Sequence, residues 1–387
     1  MNAGHKSQLL VNGRIFTGEE ILPKREVLLV DGEIREVRLA SRRSDDVPAI
    51  DLGGGLLAPG FIDCQVNGGG GVMFNDPPGV AAIETIIRAH RAFGSTGLLP
   101  TLISEDWGVM TEAARAVREA RRAGMPGLLG LHFEGPYLNP AKKGAHDGDR
   151  IRTMDDGAMD LFTGSGLGVV VVTLAPELAP PGAIRRLSDA GVRVCAGHCM
   201  PTDGQIAAAL DQGLAGFTHL FNAMPPMTSR QPGVVGAALA DPESWCGIIV
   251  DGHHVDAITL RVALAAKARG RMMLVTDAMA TVGAGAEARS FQLSGQEVTV
   301  ANGRCTLPDG SLAGSNLDMA AAVRNTHAWL DQPLEEALRM ASLYPAEFLG
   351  MGDIRGRIAA GYCADLVLLD ADLAVRRTWI GGQMSRH

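Results

Sequence analysis

Two histidines pose the chemical question of this chain. His198, in AGHC, follows the apolar run Val192–Ala196, and His219, in THLFNAM, follows Gly216–Thr218. The segment between them reads as a helix near Asp203–Gln212, opened by Pro201, Thr202 and Asp203, residue types suited to a helix N-terminus. A strand, a helix and a second strand of this length imply a right-handed parallel crossover. Both histidines then stand at the carboxyl ends of neighbouring strands, where α/β folds place their sites. Two imidazoles so placed can share a metal ion. Taken alone, the pair is as compatible with two polar residues that merely end two strands.

The elements that position them repeat along the chain. Strand patterns occur at Phe61–Val66, Leu98–Ile103, Leu128–Phe133, Val169–Leu174, Val192–Ala196, Gly216–His219, Gly247–Val250 and Met272–Thr276. Helical patterns intervene at Val80–Phe93, Val109–Ala123, Ala183–Ala190, Gln205–Gln212 and Ala257–Ala266. Eight such units predict a (β/α)8 TIM-type barrel over residues 59–350. A doubly wound open sheet is the alternative, but no G-x-G-x-x-G follows the first strand. Residues 291–312 read as a β-hairpin insertion after the eighth strand, and helices near Leu317–Leu330 and Leu334–Leu349 close the barrel. Both ends of the chain are strand-like. Asn12-Gly13 and Asp31-Gly32 lie between short apolar runs, a hairpin signal, and Ala364–Leu369 and Ala374–Ile380 flank a turn. The expectation is a small β-sandwich domain built from residues 1–58 plus 351–387.

Composition narrows the class of protein. The 387 residues are 46% hydrophobic and 20% charged, ordinary for a folded chain and ample for a large core. A net charge of −8 argues against a general nucleic-acid binder. The six cysteines form no C-x-x-C pair, which points to reduced, buried thiols. The N-terminal residues show no signal-peptide core, and no apolar run approaches the ~18 residues of a membrane span. A cytoplasmic protein acting on a small molecule, with neither membrane nor nucleic acid as partner, is expected.

In a barrel the polar residues at strand ends converge on one mouth. Strand one ends with Asp63, Gln65 and Asn67, strand three with His132 and Glu134, strand five with His198, strand six with His219 and strand eight with Asp277. Glu134, His198 and His219 form a His2Glu set, three protein ligands with a position left open, the pattern of catalytic zinc. A metal ion at such a mouth brings the pKa of water from 15.7 to about 7, and a carboxylate must then move the proton. Asp277 is placed to do so, although an aspartate after a strand also serves as a helix N-cap.

These residues carry a resemblance. PGFIDCQVNG, GLHFEGPYLNPAKKGAH, AGHC, THLFNAMPP, DGHHVD and LVTDAM, in this order, resemble the amidohydrolase superfamily and, within it, the N-acetylglucosamine-6-phosphate deacetylase family. Most of the superfamily has H-x-H at strand one, which supplies a second metal. Here Gln65 and Asn67 stand there, as in single-metal members of the deacetylase family. Neutral amides are poor zinc ligands. The resemblance therefore implies one divalent ion per subunit on Glu134, His198 and His219, with zinc expected and iron, manganese or cobalt able to replace it. It also implies that His146 helps polarise the acetyl carbonyl. Asn222 and Ala223 would cradle a phosphate with backbone N–H groups, and His254 and Arg230 would add contacts, Arg230 reaching a neighbouring site in a homodimer. His132 reads as a supporting residue, and Lys142 and Lys143 as solvated.

The reaction implied is metal-dependent hydrolysis of N-acetyl-D-glucosamine 6-phosphate to D-glucosamine 6-phosphate and acetate, in amino-sugar catabolism or cell-wall sugar recycling. One rival is another amidohydrolase, acting on a cyclic amide or an N-acyl amino acid, which would not need the anion contacts of FNAM and DGHHVD. A second rival is a non-enzymatic sugar-phosphate sensor on the same barrel.

Overall fold

The structure, a computed structural model, describes residues 7–40, 47–285 and 287–387. Eight parallel strands form one sheet in sequence order: Phe61–Val66 (β1), Ser95–Ile103 (β2), Gly130–Glu134 (β3), Val169–Leu174 (β4), Arg193–Ala196 (β5), Gly216–Phe217 (β6), Trp245–Ile248 (β7) and Met272–Leu274 (β8). Parallel strands covered on both faces need apolar residues at successive positions, and β4 accordingly reads VVVVTL. The sheet closes just beyond β8. Val66 bridges Ala278, the Asp277 N–H donates to the Gln65 carbonyl, and Asp63 accepts from the Thr276 hydroxyl at 2.5 Å. Asp63 is fully buried, and burial pushes its carboxyl up to about 7. The result is a (β/α)8 barrel.

Helices cover the outside of the barrel by their apolar stripes. Val80–Arg91 turns Ile83, Ile86, Ile87 and His90 inward, the spacing of one helical face. Trp107–Arg122 begins at Asp106, whose carboxylate accepts from the Val109 N–H. Asp203–Asp211 begins at Thr202, which forms a reciprocal capping box with Gln205. Two helices lie outside the sequence-based expectation. Gly233–Ala240, GVVGAALA, is apolar on every side and so has no period, and Asp156–Thr163 is barely two turns long. The final helix expected at Leu334–Leu349 breaks at Ser342 into Leu334–Ala341 and Leu343–Phe348. Pro345 lacks an N–H, and its ring would strike the Ala341 carbonyl in a continuous helix.

Residues 290–315 are not a simple hairpin. They form a four-stranded antiparallel sheet, Ser290–Leu293, Gln296–Ala301, Arg304–Thr306 and Leu312–Ser315. Ser294-Gly295 and Asn302-Gly303 both turn with positive φ at each residue, as tight hairpins require. The last strand is fastened to the end of the barrel seam: the Ser315 N–H donates to the Asp277 carbonyl, and the Met279 N–H to the Ser315 carbonyl.

Strands from both ends of the chain form a second eight-stranded sheet, in which Leu56–Pro59 pairs antiparallel with Leu366–Leu369. Val27, Leu29 and Ile34 share one core with Leu366, Leu368 and Trp379, so the two layers are halves of a single sheet folded on itself. Asp31-Gly32 makes the expected hairpin. Asn12-Gly13 does not: it is a bulge within the strand Ser7–Phe16, which stays paired with Ile21–Val30 on either side of the slip. All six cysteines are free, and all but Cys363 are buried. Among the described residues no helix is long and apolar enough to cross a membrane.

Candidate active site

Glu134 at the end of β3, His198 after β5 and His219 after β6 meet at the barrel mouth. His198 Nε2 lies 3.0 Å from His219 Nε2 and 3.2 Å from Glu134 Oε1, and His219 Nε2 is 3.0 Å from the same oxygen. Three lone-pair atoms facing one another at this distance approximate the edge of a tetrahedral zinc site with bonds of about 2.0–2.1 Å. The donor chemistry fits a divalent ion, and among the described residues this is the group of acidic, histidine and cysteine side chains able to hold one. His198 Nδ1 donates to the Lys142 carbonyl at 2.8 Å, an arrangement that would leave Nε2 to serve as the ligand atom when a metal ion is bound. Burial alone would raise the Glu134 carboxyl, but the two imidazoles hold it well below the usual range. His198 and His219 both have positive φ, 49° and 29°, and so does Asp277, 52°. Such backbone is costly for residues with side chains and concentrates at functional sites.

Strand β1 supplies donors, not ligands. The Gln65 amide donates to Glu134 Oε1 and to Asp277 Oδ1, both at 3.1 Å, and Asn67 donates to Asp277 Oδ1 at 2.6 Å. Asp277 Oδ1 is thereby fixed, while Oδ2 has no partner among the described residues. Burial and the charge of Glu134 push the Asp277 carboxyl up to about 6.

His146 is brought to the same cavity by the loop after β3. Its ring packs edge-on to His198 with centroids 4.4 Å apart, and burial beside His198 pushes its pKa down to about 3. Its Nδ1 faces the Ser104 hydroxyl at 2.8 Å. His132, two residues before Glu134, is occupied within the barrel, with Nδ1 on the Cys64 carbonyl and Nε2 on the Thr173 hydroxyl.

Asn222, Ala223 and His254 line the same cavity. The expected backbone cradle is only half available. The Asn222 N–H donates to the His219 carbonyl at 3.0 Å, closing the turn, whereas the Ala223 N–H is uncommitted among the described residues. Phe221 and Ala223 both have positive φ and flank Asn222, the alternation that shapes an anion-binding nest. His254 Nδ1 pairs with Asp251 Oδ2 at 2.7 Å, with both side chains buried. Although burial would raise the Asp251 carboxyl, this imidazole and two backbone N–H groups hold it at about 2. The neighbouring His253 reaches the Asn302 carbonyl in the 290–315 sheet. Arg230 is not brought to the cavity: it is exposed in a turn closed by Thr228 and Gln231.

The sequence reading missed three participants. Asp251 had a signal, a carboxylate three residues before a histidine. Ser104 had only its place after an apolar strand, and Lys142 contributes a backbone carbonyl, which no side-chain pattern reveals. The Lys142 ammonium is not simply solvated either; it donates to the Met224 carbonyl at 3.3 Å and ties this loop to FNAM.

Comparison with known proteins agrees with this architecture. The amidohydrolase family model matches residues 56–384. An N-acetylgalactosamine-6-phosphate deacetylase of Shewanella sp. (strain ANA-3) is 45% identical over 341 residues, 88% of this chain and 85% of that protein. The crystal structure of N-acetylglucosamine-6-phosphate deacetylase from Pasteurella multocida superposes with a TM-score of 0.94 at 34% identity, covering 98% of this chain and 100% of that one. A mutant N-acetyl-D-glucosamine-6-phosphate deacetylase from Mycobacterium smegmatis, in complex with N-acetyl-D-glucosamine-6-phosphate, gives 0.86 at 31% identity, covering 98% and 99%. With its barrel, its mouth cluster and these relatives together, the chain belongs to the amidohydrolase family.

Proposed function

We propose that this chain is a deacetylase that hydrolyses N-acetyl-D-glucosamine 6-phosphate to D-glucosamine 6-phosphate and acetate. The observation that carries the proposal is one cavity lined by two unlike sets of groups. Glu134, His198, His219, Asp277 and His146 are suited to hydrolysis, and Ala223 and His254 to binding an anion. Two relatives whose names specify this sugar phosphate superpose on nearly the whole chain.

Glu134, His198 and His219 would hold one divalent ion, zinc by donor type, with iron, manganese or cobalt as substitutes. When bound, the ion supplies Lewis acidity that brings the pKa of water toward about 7. Asp277, held through Oδ1 by Gln65 and Asn67, accepts the proton of the attacking water at Oδ2. His146 donates a hydrogen bond to the acetyl oxygen as charge develops there. Asp277 then returns the proton to the departing amine. Ala223 N–H and His254 hold the phosphate, so that the amide stays in register with Asp277. We further propose a cytoplasmic homodimer in which Arg230 serves the neighbouring site.

Acetate release from N-acetylglucosamine with and without its 6-phosphate, before and after chelation and metal add-back, tests the reading. Release should require both phosphate and metal. Equal turnover of the unphosphorylated sugar would remove the anion-binding role, and tight binding without acetate release would favour a sensor. The 45% identical Shewanella relative supports a second reading, the C4 epimer N-acetyl-D-galactosamine 6-phosphate as preferred substrate. The ratio of kcat/KM for the two epimers decides between them.

A further inference from the structure

Ser104 stands just past the end of β2, 2% exposed, against the ring of His146. Its backbone N–H donates to His146 Nδ1 at 3.2 Å, and its hydroxyl lies 2.8 Å from the same nitrogen. An amide N–H can only donate, so Nδ1 must present a lone pair. The neutral ring then carries its proton on Nε2. No described residue partners Nε2, while the ring lines the cavity beside Glu134, His198 and Asp277.

We infer that Ser104 is a positioning residue: its amide and hydroxyl together lock His146 in the Nε2–H tautomer, so that the cavity always meets a hydrogen-bond donor at this point. The inference rests on the proposed role of His146 at the acetyl carbonyl. The opposite tautomer would present a lone pair to the carbonyl oxygen and could not stabilise charge on it. The hydroxyl has little freedom to leave. Gly135, with φ of +83°, faces it so closely that a Cβ there would collide with the Ser104 oxygen. The loop that delivers His146 is held separately, by its own N–H on the Lys143 carbonyl. Ser104 therefore sets the protonation pattern of the ring, not the path of the loop.

The direct measurement is a two-bond nitrogen–proton correlation spectrum of the zinc-loaded protein labelled with ¹⁵N-histidine. The His146 signal is assigned by its loss in His146→Gln. The Nε2–H pattern is expected, and an Nδ1–H pattern overturns the inference. This readout needs no substrate, so it stands apart from the deacetylase reading. In steady state, Ser104→Ala should lower kcat about tenfold, the rate equivalent of one hydrogen bond, with KM within about twofold of wild type and metal content unchanged. An unaltered kcat overturns the role of the hydroxyl. Loss of metal together with turnover would make Ser104 a structural support, and overturns it as well.

Discussion

Glu134 and Asp277 are both buried carboxylates, and one amide, that of Gln65, donates to both. Their surroundings nevertheless drive them apart. Two imidazoles hold Glu134 ionised, whereas burial and the Glu134 charge raise Asp277 to about 6. Divergent neighbours of this kind separate a permanent anion, suited to a cation, from a group that can take and return a proton. Two substitutions separate the roles. Asp277→Asn keeps its neighbours' volume and should retain metal while losing ~10²–10⁴ in kcat. Near-normal turnover would remove Asp277 from proton transfer. Glu134→Gln should leave metal content substoichiometric by elemental analysis, and unchanged content would sink the ligand set. In the same cavity, Asp251 orients His254 through Nδ1. Asp251→Asn should raise KM for the phosphorylated sugar about tenfold and leave kcat within about twofold, because one charge-assisted hydrogen bond to a phosphate-binding imidazole is weakened. A fall in kcat at constant KM would place Asp251 in the chemistry instead.

At the scale of elements, the strands were legible and their fine attachments were not. Continuous apolar runs such as VVVVTL announce buried parallel strands, and each polar residue after such a run marks a mouth position. This is why Glu134, His198, His219 and Asp277 could be gathered from the sequence. The direction of the Gln65 and Asn67 amides could not, because a side-chain amide donates or accepts according to the carboxylates that tertiary structure sets against it. The bulge at Asn12-Gly13 and the break at Ser342 likewise depend on what lies alongside. His90 shows the same limit. It is wholly buried on the helix Val80–Arg91, and its Nε2 donates to the Gly68 carbonyl at 2.9 Å, an approach possible because Gly69 has no side chain to block the ring. Burial pushes its pKa down to about 4 from an ordinary 6.5. Such a depressed histidine adds stability that is complete above pH 6.5 and is lost as pH falls toward 4, because the unfolded chain takes the proton first. At about 1.4 kcal/mol per pH unit the effect is on the order of 3 kcal/mol. His90→Gln retains a donor and does not titrate. Between pH 7 and pH 5 its urea midpoint should fall less than that of wild type, and parallel falls would show that His90 does not link this helix to pH.

At the scale of the whole molecule, the anion-binding set of groups in the cavity is short of positive charge for the ligand proposed. A phosphate monoester carries about −1.5 to −2 at neutral pH. Among the described residues, it is met by the uncommitted N–H of Ala223 and by His254, whose Nδ1 is already engaged by a carboxylate. Arg230 projects from an exposed turn a few residues beyond FNAM and serves nothing within its own cavity. In a two-fold dimer a residue that leaves one subunit can complete the site of the other, and each site does so for its mate. Subunit complementation decides this. Arg230→Ala and Asp277→Asn should each be nearly inactive at low substrate concentration. A mixed dimer, however, contains one site with an intact Asp277 that receives Arg230 from its mate. Coexpression should therefore recover about a quarter of wild-type activity under random pairing, and sedimentation should show a dimer. If Arg230 acts within its own subunit, both sites of the mixed dimer stay defective and coexpression recovers nothing.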